Sequence, residues 1–135
     1  MAHPFNRLVE LIEEYAEKKQ IMTVEELQTM REDISLNLFL MNDSAAKAIS
    51  NYDAEDYKRK RFYAERQEHY RGKKNEDGKI YTVADSERLA RLEAEEVDNR
   101  VIEALRQKER VRLIVTATKE ILNAIAGRIS QINNR

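Results

Sequence analysis

The 135-residue chain has no cysteine and no tryptophan, and only one proline, three glycines and two histidines. Without cysteine there is no disulfide, no thiolate nucleophile and no sulfur ligand for a structural metal. So few glycines and prolines leave a sheet protein short of turn residues. Long apolar runs are missing too. The most apolar window, 111–132, is interrupted by Arg112, Lys119, Glu120 and Arg128, which rules it out as a membrane span. The N-terminus, Met-Ala-His-Pro-Phe, lacks the charged and apolar regions of a secretory signal. A soluble cytoplasmic protein is the expectation.

What the chain does have is charge and helical periodicity. Charged residues make up 36% and the hydrophobic set 41%, a mix that favours long charged helices. The expected fold class is all-α. We read residues 1–135 as one domain, a helical hairpin or bundle with a long C-terminal heptad helix that self-associates. Pro4 suits a helix start. Leu8, Leu11, Ile12 and Tyr15 follow at spacings of three and four, with Glu10, Glu13, Glu14 and Glu17 on other faces, so 1–22 is an acidic N-terminal helix. Thr23 and Glu26 match a capping box. They open a helical arm, 23–71, striped by Leu27, Met30, Ile34, Leu38 and Met41 and widened by Leu36, Phe39 and Leu40. A break or kink is expected at Asn42-Asp43-Ser44. The arm should end near Arg71, because Gly72 supplies the left-handed residue that closes many helices. Residues 72–81 read as a mobile loop. Thr82, Asp85 and Ser86 offer caps for one helix over 82–133.

From Val97 that last helix carries an unbroken heptad seam: Val97, Val101, Ala104, Lys108, Val111, Val115, Thr118, Leu122, Ile125, Ile129 and Ile132. Such a seam means helix-to-helix pairing, within or between chains. Beyond Val111 it broadens through Leu113, Ile114, Ala117, Ile121 and Ala124. A helix apolar on most sides must be covered, so Val111, Val115, Leu122, Ile125 and Ile129 are the candidate oligomerisation residues. Lys108, the charged member, is placed to fix register.

Catalytic chemistry finds few candidates. His69 is the one histidine away from the terminus, and it follows Glu65 by four residues and Glu68 by one, which is not the Glu-x-x-His of a di-iron bundle. Nucleotide-binding and nucleophile-elbow motifs are missing. The expectation is a non-enzyme without cofactor or metal. Taken alone, His69 reads as a helix C-terminal residue satisfied by the last carbonyls.

The chemistry concentrates in 57–74, YKRKRFYAERQEHYRGKK. Eight Lys/Arg against two Glu give it +6, while residues 1–56 carry −7 and the whole chain −1. Tyr57, Phe62, Tyr63 and Tyr70 are interleaved with the cations. Cations that meet phosphates and rings that stack on unpaired bases suit a single-stranded nucleic-acid surface. Lys58, Lys60, Arg61, Tyr63, Arg66, Tyr70, Arg71, Lys73 and Lys74 are the candidate contacts. Tyr52, Arg59, Tyr63, Arg66 and Tyr70 share one helical stripe, and a competing account packs those tyrosines inward while the cations face solvent or the acidic N-terminal helix. That helix can shield the basic stripe or dock basic partners.

Two stretches resemble a known family. Arg66-Gln67-Glu68-His69-Tyr70-Arg71-Gly72 is similar to the basic helix, ending Arg-x-x-aromatic-Tyr-x-Gly before a charged loop, of the UvsY-type recombination mediators of T-even and related phages. Leu122-Asn123-Ala124-Ile125 followed by Arg128 is similar to a Leu-Asp-Ala-Ile-x-x-Arg stretch in that family's C-terminal assembly helix, and Thr82-Val83 also fits. The likeness covers roughly 45–135 in order of elements. The family places a lysine where this chain has Ala64, and 1–22 has no counterpart. The resemblance implies a single-stranded DNA-binding homo-oligomer, assembled as a ring, that helps load a recombinase onto strands covered by single-strand binding protein. It gives Arg66 a DNA-contact role and implies a phage protein of the host cytoplasm. The alternative is a helical scaffold or inhibitor whose basic stripe meets an acidic protein surface.

Overall fold

The computed structural model describes residues 3–134, and the fold is all-α. Its four helices are α1 (Pro4–Lys18), α2 (Val24–Tyr70), α3 (Val83–Glu93) and α4 (Glu95–Asn133). Among the described residues none of these is long and apolar enough to cross a membrane. Local chemistry sets the helix ends. His3 caps α1 by accepting the Phe5 N–H on Nδ1 at 3.1 Å, with Pro4 at the first helical position. At the start of α2, the Glu26 N–H donates to Thr23 Oγ1 at 3.1 Å and the Thr23 N–H donates to Glu26 Oε1 at 3.3 Å. This is the predicted capping box. Thr82 and Asp85 repeat it at α3. Gly72 follows α2 at φ +75°, a conformation that disfavours a side chain.

The chain divides into two compact units, 1–47 with 109–135 and 48–108. The core of the first is built from Leu8, Leu11 and Tyr15 of α1, Leu27, Met30, Ile34 and Met41 of α2, and Ile125 and Ile129 of α4. The acidic N-terminal helix is thus a core element here, tied to α2 also by Arg7 and Asp33 at 3.8 Å. In the second unit, Ala90, Ala94, Val101 and Ala104 are buried. Lys108 lies over the Tyr52 ring at 4.5 Å and Arg66 meets Glu93, so the rising part of α2 runs antiparallel to the helices that follow the loop.

The seam forms, and it packs within the chain. Every seam position from Val97 to Ile132 is buried or half-buried, with Thr118 and Ile125 fully enclosed. Thr118 satisfies its hydroxyl inside its own helix by donating to the Ile114 carbonyl at 2.5 Å.

Three expectations need correction. There is no break at Asn42-Asp43-Ser44, because α2 runs unbroken through them. Asn42 and Asp43 are exposed, and a polar patch on a solvated face has the same composition as a cap. The helix expected over 82–133 is instead two helices, α3 and α4, meeting at Ala94. No proline or glycine causes this. Ala94 sits at φ −81°, ψ 0°, and its N–H is shared between the carbonyls of Ala90 and Arg91 at 3.0 and 3.2 Å. The ladder resumes with Asp98 N–H on the Ala94 carbonyl at 2.8 Å. The last turn of α3 is tightened towards 3₁₀ geometry, and the ladder of α4 starts afresh from the Ala94 carbonyl. Finally, the connection expected to be mobile is tied by hydrogen bonds. Lys74 and Ile80 bridge antiparallel, the Asn75 N–H donates to the Lys79 carbonyl at 2.7 Å, and Asn75 Oδ1 accepts the N–H groups of Asp77 and Lys79 at 2.9 and 3.0 Å. Gly78 turns the tip at φ +75°.

Candidate nucleic-acid interface

The C-terminal half of α2 has two faces of different character. Tyr52, Arg59, Tyr63, Arg66 and Tyr70 are all half-buried, as their shared stripe requires. Lys58, Lys60, Arg61 and Arg71 are exposed, and so are Lys73 and Lys74 beyond the helix end. Tyr57, on the outer face, is 64% exposed. Steps of four, three, four and three align Tyr57, Arg61, Ala64, Glu68 and Arg71 along that face, about 21 Å from end to end at 1.5 Å per residue.

The inner face is built around one carboxylate. Glu93, the last residue of α3, accepts from both the Arg66 guanidinium and the Tyr70 hydroxyl. The Arg66 guanidinium also lies 5.5 Å from the Tyr70 ring centre. Tyr70 is further enclosed by edge contacts with Tyr81 at 5.4 Å and His69 at 5.0 Å. These contacts shift the ionisation of all three groups. Hydrogen bonds from Arg66 and then Tyr70 hold the Glu93 carboxyl below its ordinary value. The same carboxylate raises Arg66 and Tyr70 above theirs. His69 finds its partner in the Lys73 ammonium, 3.2 Å from Nδ1, where the helix-end carbonyls were expected.

The outer cations are matched by carboxylates one helical turn away. Lys58 pairs with Glu55 at 3.6 Å, and Arg59 and Lys60 share Asp56 at 2.6 and 2.9 Å. Arg61 pairs with Glu65 at 3.0 Å and Arg71 with Glu68 at 3.5 Å. Asp56 is accordingly held below its ordinary value, first by the hydrogen bond from Lys60. The +6 of 57–74 therefore overstates the local field. Starting the window at Asp53 gives eight basic against five acidic residues, +3. Exposed ion pairs of this kind are weak, so they leave the cations free to exchange partners. Among the described residues, Lys74 has no side-chain partner of its own.

The candidate contacts thus separate. Lys58, Lys60, Arg61, Arg71, Lys73 and Lys74 are open to a ligand. Tyr63 lines a groove with Arg59, Lys60, Arg91, Ala94 and Asp98. A second groove beside Arg71 is lined by Ala64, Gln67, Tyr81, Val83 and Ser86. Arg66 and Tyr70 are held by Glu93. Sequence reasoning missed Glu93 because it lies 27 residues from Arg66 and no periodicity links them. Of the candidate oligomerisation residues, Ile125 and Ile129 belong to the core of the first unit, with Val111 and Leu122 packed on it, and Val115 is half-buried. No family model, curated protein or solved structure matches the chain.

Proposed function

We propose that this protein binds single-stranded DNA without catalysis, through the outer face of α2 and the turn that follows it. The observation that carries the reading is the row of exposed cations, Lys58, Lys60, Arg61, Arg71, Lys73 and Lys74, with the free ring of Tyr57 among them. Cations that follow a phosphate backbone, beside a ring on which a base can stack, serve an unpaired strand regardless of its sequence. About six phosphate contacts give weak binding at cellular salt, so several copies acting together would supply avidity. The finer role, a recombination mediator that hands strands to a recombinase, rests on the resemblance of 66–72 and 122–128 to the UvsY-type family.

The test is anisotropy of labelled oligo-dT across a salt series, comparing the native chain with Lys58, Lys60, Arg61 and Arg71 all changed to Ala. We expect salt-steep binding that is lost in a variant of unchanged helicity. No binding by the native chain at low salt would end the reading. One observation favours the second reading, a scaffold that docks an acidic protein surface: Glu65 and Glu68 share the outer face with Arg61 and Arg71, and they repel a polyanion.

A further inference from the structure

One surface of the first unit has no role in the reading above. On α2, Leu36, Phe39 and Leu40 are 57%, 69% and 47% exposed, although they lie at i, i+3 and i+4 and form one apolar patch. The stripe through them continues by steps of four, three and four to Glu32 on one side and to Asp43 and Lys47 on the other, all exposed. Neither Glu32 nor Lys47 makes an ion pair or a side-chain hydrogen bond among the described residues. This sets them apart from the basic stretch, where the helix cations have carboxylate partners.

The pattern is self-complementary. Opposite unpaired charges stand at equal distances from a midpoint between Phe39 and Leu40. Laid antiparallel on a second copy about a two-fold axis at that midpoint, Glu32 of each copy faces Lys47 of the other, and Phe39 faces Leu40 twice. A parallel arrangement would set Glu32 against Glu32 and Lys47 against Lys47. We infer that the exposed face of α2 over 32–47 is an isologous, antiparallel self-association surface whose occupant is a second copy of this chain. Asp43 is the one mismatched member, because it faces the partner copy's apolar Leu36. The paired segment is about 24 Å long at 1.5 Å per residue. Its contact belongs with small interfaces, below roughly 1,200 Å² in total, so association is weak and concentration-dependent. This assembly uses a face distinct from the heptad seam of α4, which is already occupied within the chain.

Sedimentation equilibrium of the full chain without nucleic acid tests the inference, independently of any DNA reading. We expect a monomer–dimer equilibrium. Phe39→Asp should weaken it at least tenfold with helicity unchanged. Glu32→Lys or Lys47→Glu alone should weaken it, and the two together should restore it. Asp43→Leu should tighten it with the monomer–dimer stoichiometry and helicity kept, whereas non-specific aggregation would give species larger than a dimer. A native chain that stays monomeric at all concentrations overturns the inference, as does association indifferent to Phe39→Asp. Failure of the double charge swap to restore association overturns the antiparallel register.

Discussion

Replacing Glu93 by Gln asks whether Arg66 belongs to the nucleic-acid surface or only to the fold. A guanidinium and a phenol both donate to the one Glu93 carboxylate, and on the proposed function a phosphate would compete for the same donors. Glutamine keeps the shape and an acceptor oxygen but removes the charge, which leaves Arg66 as an uncompensated cation. For a single strand each neutralised phosphate contributes a slope of about −0.7 in log affinity against log salt. One further contact therefore steepens the slope by about 0.7 and raises affinity about fourfold at about 0.15 M salt and about eightfold at about 0.05 M. The assay is oligo-dT anisotropy on the native and Glu93→Gln chains over that range. An absorbance titration run in parallel should show the Tyr70 phenol falling back towards its ordinary value, since its elevation comes first from the Glu93 carboxylate. A native chain that binds, with a variant whose affinity and slope are unchanged or lower, would refute the idea that Glu93 masks a phosphate site.

Further outcomes follow from the packing. Ile125 is fully buried in the first unit, so Ile125→Ala should cost about 3 kcal/mol in urea unfolding. Lys108→Met keeps the stem of the side chain and deletes the ammonium over Tyr52, and should cost about 1 kcal/mol by the same measurement. Glu93 and Asp56 are both held below their ordinary carboxylate values in the fold. The folded state therefore binds protons less readily than the unfolded chain. Their stabilisation is present above about pH 4.5, the ordinary value for Glu93, and is lost as pH falls through the depressed values of the fold. Thermal unfolding followed by circular dichroism from neutral to acid pH should show this decline, shallower in Glu93→Gln.

The periodic features of the fold were legible in the sequence. The seam from Val97 to Ile132, the Thr23 and Thr82 caps and the stop at Gly72 follow from spacing and local hydrogen bonding, which act within a few residues. What the sequence concealed depended on surroundings. Asn42 and Asp43 have cap composition but lie on the solvated side of a continuous helix. Ala94 has high helix propensity and still marks a junction, at a buried position that no local signal distinguishes. At the site, the exposed cations were visible as composition. Their carboxylate partners Glu55 and Asp56 fell just outside the basic window, one turn upstream, although helical neighbours at i+3 and i+4 are the ones that matter.

The junction at Ala94 has a mechanical consequence. α3 closes on the Ala94 N–H and α4 opens on the Ala94 carbonyl, so the two ladders meet at one residue and a change of angle there costs neither of them a bond. The latch residue, Glu93, is the one immediately before this pivot. Its hydrogen bonds from Arg66 and Tyr70 tie the end of α3, a helix eleven residues long, to α2, and losing them would free that helix to turn about Ala94 as one piece.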